Sequence, residues 1–98
     1  MNVGKLYQFK KFYWLLYPSK EIASVTPRHG AGIAAAEARA AAAYYSKQFN
    51  CNVSYIANSM FILLEQDGKF CKILSTNGEL GWIILSDLCK NNIEEVTV

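Results

Sequence analysis

Proline, cysteine and histidine are all scarce in this 98-residue chain, with two, three and one copies respectively. Cys51, Cys71 and Cys89 are odd in number and lack Cys-x-x-Cys spacing, and His29 is the lone imidazole. A tetrahedral zinc site would miss its usual ligand pattern, so we expect reduced, buried thiols and no metal. Phe12 to Tyr17 is the longest apolar stretch near the N-terminus. It lacks a small-residue cleavage site, so the expected location is the cytoplasm. No apolar run approaches the roughly 20 residues of a membrane span. Charged residues make up only 18% of the chain while hydrophobic residues reach 52%, a balance that excludes disorder. The net charge of +2 is too small to require a nucleic-acid partner.

What is abundant is aromatic and alanine. Thirteen residues are Phe, Trp or Tyr, enough for one small core. A chain of this mass should bury about 65% of its unfolded surface, which a single domain spanning 1–98 achieves without staples. Charge is unevenly spread: net +4 over residues 1–30, +1 over 31–60 and −3 over 61–98. A basic patch around Lys5, Lys10 and Lys11 is one reading. Pairing of the two end segments across strands is the plainer one.

Residues 5–17, KLYQFKKFYWLLY, are β-prone and free of Gly and Pro. Alternation groups Phe12, Trp14 and Leu16 on one face and Tyr13, Leu15 and Tyr17 on the other. A strand that is apolar on both faces is covered on both. One cover is the core; the other is the Ala-rich helix, a second subunit or a partner. Pro18 ends the pairing, and Glu21 to Val25 is read as a short strand or the arm of a loop. Nine of the 15 positions from 31 to 45 are Ala, so a helix is expected over 33–48 within an insertion of about 26–50. Its face of Ala34, Ala38, Ala41, Ala42, Tyr45 and Phe49 must dock to persist.

From residue 53 the period changes to two. Met60, Ile62 and Leu64 alternate with Phe61, Leu63 and Glu65, and Asp67-Gly68 marks a hairpin. Phe70 to Leu74 returns, Asn77-Gly78 turns again, and Leu80 to Leu85 makes a third strand. Ser86 to Leu88 suits one 3₁₀ turn, and Ile93 to Val98 a last strand.

Residues 61–88, FILLEQDGKFCKILSTNGELGWIILSDL, resemble the second half of SH3-like domains, bacterial SH3 domains included. The matching residues are Phe70 with Ile73, then Gly78, Gly81-Trp82-Ile83, and Ser86 to Leu88. Leu16-Tyr17 resembles the family's first conserved motif. The resemblance implies a mainly β fold, a small SH3-like antiparallel β-barrel of five strands with one inserted Ala-rich α-helix. It puts Leu16, Ile73 and Ile83 in the core and Tyr17, Phe70 and Trp82 on a ligand-binding aromatic surface. The family's Pro after Gly-aromatic-Ile is Ile84 here, its 3₁₀ Tyr is missing, and its acidic loop is replaced by the helical insertion. In its compactness the chain also resembles small phage proteins.

Gly30-Ala31-Gly32-Ile33-Ala34-Ala35 fits the loose pattern G-x-G-x-x-A, but the antiparallel signals that follow exclude a dinucleotide fold. Arg28, His29, Gly30 and Gly32 form a possible anion site at the helix start. No paired carboxylates or Cys-His arrangement point to catalysis or to a cofactor. The expected function is a non-enzymatic protein-interaction module that binds another protein or itself. The alternative is a small nucleic-acid-binding protein using the basic, aromatic N-terminal strand.

Overall fold

The computed structural model describes residues 2–10, 13–26, 33–57, 59–85 and 92–97. The chain is mainly β. Strands β1 (Leu6–Phe9), β4 (Met60–Asp67), β5 (Phe70–Ser75), β6 (Leu80–Ile84) and β7 (Ile93–Glu95) form one antiparallel sheet in the order β6-β5-β4-β1-β7. Strands β2 (Trp14–Leu16) and β3 (Ser54–Ile56) pair separately. Helices α1 (Lys20–Val25) and α2 (Ala35–Gln48) complete the described elements. Among the described residues there are seven strands in two sheets where five strands were expected, and the pairing seen is that of two sheets, not of one closed barrel. The stretch 5–17 splits into β1 and β2, which pair in different sheets.

Among the described residues the two sheets share one backbone bridge. Tyr17 and Trp82 exchange backbone hydrogen bonds, 2.8 Å in each direction, so the end of β2 joins the β6 edge. Between the sheets lies the first core: Tyr7, Phe9, Trp14, Leu16, Ile56, Phe61, Leu63, Cys71, Ile73, Ile83 and Leu85. The second core gathers Leu15, Tyr17, Ala23, Ala42, Tyr45, Val53 and Ile84. β2 thus lies between two cores, Trp14 and Leu16 facing one and Leu15 and Tyr17 the other. This is why its sequence is apolar at every position. Of the three covers open to it, the chain's own helices fill the role.

The second cover comes from α1 and α2. Residues 20–25 are helical rather than extended because Ser19 caps them, its Oγ accepting from the Ile22 N–H at 3.2 Å. Glu21 in the first turn adds a favourable charge at the N-terminus. The Thr26 hydroxyl donates to the Ile22 carbonyl at 2.6 Å at the other end. Lys20 also reaches the β4–β5 turn, 2.6 Å from Asp67 Oδ2. α2 begins at Ala35, two residues later than expected, and buries Ala38, Ala42 and Tyr45. These fall on one helical stripe, and Ala methyls let the helix come close to β2 and β3. Asn50, with φ 50°, supplies the left-handed residue that turns the chain off the helix. Ser46 Oγ then accepts from the Val53 N–H at 2.9 Å and donates to its carbonyl at 3.0 Å, which ties the helix end to the approach of β3.

The β4–β5 hairpin turns at Gly68-Lys69, one residue later than expected. Asp67 pairs with Phe70, and Gly68 has φ 59°, a conformation suited to the first central position of such a turn. A bulge between Leu63 and Glu65 inserts Leu64 as an extra residue. The 3₁₀ turn expected at Ser86 to Leu88 lies outside the described residues.

Candidate interaction surface

The outer face of the five-stranded sheet is built by alternation. Residues 61, 63, 71, 73 and 83 point into the first core, so 62, 70, 72, 74, 80, 82 and 84 point outward. This outward face has two halves.

The first half is covered by the chain itself. Phe70 stands opposite Ile84, and both pack in the second core beneath Ile22 and Ala23 of α1. Trp82 stands opposite Lys72 and joins the same cluster, half-buried. Tyr17, Phe70 and Trp82 pack in one cluster, but not on an open surface. Tyr17 is 0% exposed, because α2 and the second core enclose the outer face of β2. Phe70 and Trp82 are half-buried, and Lys69 Nζ sits 5.6 Å from the centre of the Phe70 ring.

The second half is open. Leu6, Ile62, Leu74 and Leu80 stand directly opposite one another across four adjacent strands. Ile62 is 38%, Leu74 37% and Leu80 57% exposed, with Met60 and Leu64 beside them. Four aliphatic side chains in one cross-strand row are more than the scattered apolar residues normal on a surface. The sequence carried a signal for this row: residues 60–64 are apolar in both phases of the strand, as residues 13–17 are, which implies a second covered face.

Where Leu80 meets the end of β2, an open groove of about 270 Å³ runs between Leu16, Tyr17, Pro18, Asn52, Ser54, Glu79 and Leu80. Its lining mixes carboxylate, amide and hydroxyl groups with aliphatic walls.

The other candidate residues fall elsewhere. Arg28, His29, Gly30 and Gly32 lie outside the described residues, as do Lys11, Phe12 and Cys89. Lys10 pairs with Glu94 at 3.3 Å, one of the contacts between the basic and acidic end segments. Tyr7, Phe9, Trp14 and Tyr17 are buried, so bases have no access to these rings for stacking. Cys71 is buried in the first core, and burial pushes its thiol up to about 11. A thiol so held is a packing group and a poor nucleophile. Among the described residues no three His, Cys, Asp or Glu side chains are grouped to hold a metal ion, and no helix is long and apolar enough to cross a membrane.

No family model, curated protein or solved structure matches this chain.

Proposed function

We propose that the chain is a non-enzymatic protein-interaction module, a divergent SH3-like barrel in architecture, and that its partner contacts the open half of the outer sheet face. One observation carries this reading: the row Leu6–Ile62–Leu74–Leu80, three of whose members are more than a third exposed. The covered half of the same face shows what such residues require. There Phe70 and Ile84 pack with Ile22 and Ala23 of α1; Leu6, Ile62, Leu74 and Leu80 join neither core cluster. Phe70 and Trp82, half-buried on the same face, continue the surface toward α1, so the aromatic pair borders the contact and Tyr17 packs in the same cluster. The buried N-terminal rings favour protein over nucleic acid as the partner.

Site-specific photocrosslinking tests this. A benzoylphenylalanine at position 74 or 62 should form an adduct with another protein, or with a second copy, in cells of the source. The same group at Tyr44, exposed on α2, should form none. Equal adducts at all three positions, or none at 74 and 62, would refute the reading.

A further inference from the structure

The edge of β6 carries backbone chemistry that the described residues use at Trp82. Trp82 directs both its N–H and its C=O to Tyr17. It is therefore a position whose backbone groups face away from β5, and Leu80, two residues along, has the same phase. Leu80 also directs its N–H and C=O to the open side. Pro18 follows Tyr17, lacks an N–H, and gives way at once to the Ser19 cap of α1, so β2 does not extend along this edge. No described residue supplies a backbone partner on that side of Leu80. The groove lined by Pro18, Asn52, Ser54 and Glu79 lies against it.

We infer that this groove takes an extended peptide segment of another protein, which pairs with Leu80 as an added strand. The inference rests on the reading of the chain as a protein-interaction module. Three features define the occupant. The free N–H and C=O of an edge residue are satisfied by a main chain in extended conformation, which supplies donor and acceptor at the same spacing. A residue of the added strand directly opposite Leu80 would sit on the outer face and lengthen the row Leu6–Ile62–Leu74–Leu80 by one, so it is aliphatic. Glu79 lines the groove and forms no ion pair among the described residues, so a neighbouring position is Lys or Arg. The same carboxylate argues against a second copy of this chain. A twofold pairing of two β6 edges about Leu80 would bring the two Glu79 side chains near each other, and Tyr17 already holds Trp82, the next outward-facing residue of each edge.

The probe is a blocked octapeptide alternating valine and threonine with one central lysine, titrated into the ¹⁵N-labelled full chain. Amide shifts should change at Leu80, Glu79, Asn52, Ser54 and Tyr17, and exchange of the Leu80 N–H should slow at least tenfold at saturation. N-methylating one alternate set of peptide amides should abolish binding while methylating the other set leaves it intact, because only alternate amides face the edge. Glu79→Lys should weaken the lysine peptide about tenfold and strengthen its glutamate counterpart. Unchanged exchange at Leu80, shifts confined to Ile62 and Leu74, indifference to the lysine–glutamate swap, or no shift at millimolar peptide would each overturn the inference. Should crosslinks at Leu74 persist in any of those cases, the interaction reading stands and the edge groove alone falls.

Discussion

Replacing Gly81 by alanine adds one methyl group where the end of β2 crosses β6. A Cβ built there would lie 2.7 Å from Leu16 Cγ, 2.9 Å from Leu16 Cδ1 and 2.8 Å from the Tyr17 carbonyl oxygen. Neither neighbour yields freely. Leu16 is 4% exposed and packs in the first core, so moving it forces a side chain off its rotamer or compresses the core, at about 1–3 kcal/mol. The Tyr17 oxygen accepts the Trp82 N–H at 2.8 Å, so retreat of the backbone loosens the bridge that joins the two sheets, at about 0.5–1.5 kcal/mol per hydrogen bond. Against this stands a gain of about 0.4–1 kcal/mol from the stiffer unfolded chain. The net expectation is a loss of about 2 kcal/mol. With a urea m-value of about 1 kcal/mol/M, the midpoint followed by circular dichroism should fall by about 2 M. Leu16→Ala should relieve the side-chain part of the clash. The double variant should then lose at least about 1 kcal/mol less than the two single losses added together. A neutral or stabilising Gly81→Ala, or strict additivity with Leu16→Ala, would refute the crossing geometry.

Three further outcomes are expected. Ile83→Ala and Ile73→Ala each empty a fully buried site and should cost about 2–5 kcal/mol by urea titration; a loss under 0.5 kcal/mol would contradict the inward phase of β5 and β6. Ala38→Arg forces a long charged side chain into the fully buried stripe of α2 and should lower the melting temperature by about 10 °C, whereas an unchanged melting curve would mean the helix is not docked. Cys71 keeps its proton in the folded state to about pH 11, while the unfolded chain releases it near 9. Its contribution to stability is therefore complete below about pH 9 and lost as pH rises toward 11. Iodoacetamide at pH 8 should label Cys71 only as fast as the chain unfolds, and rapid labelling of the native protein would contradict its burial.

The sequence by itself determined the elements whose cause is local or periodic. Nine alanines in fifteen positions made α2 legible, and its docking stripe through Ala38, Ala42 and Tyr45 followed from helical spacing. The period of two from residue 60, punctuated by glycines, marked β4, β5 and β6, while the core placement of Ile73 and Ile83 was an implication of the SH3-like resemblance, and both are fully buried. α1 was not legible: Ser19-Lys20 reads as a polar turn and residues 21–25 as a strand or loop arm, because six residues are too few to show a helical period and the Ser19 cap is recognised only with the helix it starts. Tertiary structure alone decided the rest, because pairing partners are chosen by long-range contacts that leave no period in the chain. It set β2 against β3 instead of continuing β1, and it closed α1 and α2 over Tyr17, so that a residue expected on the surface became core. It also gave Gly81 its reason. A Gly-Trp-Ile sequence marks a turn-proximal strand, whereas the Leu16 side chain and the Tyr17 carbonyl, more than sixty residues earlier, are what exclude a Cβ there. The open row of Leu6, Ile62, Leu74 and Leu80 has the same origin: each residue was visible in sequence, and only the register of four strands aligned them on one uncovered face.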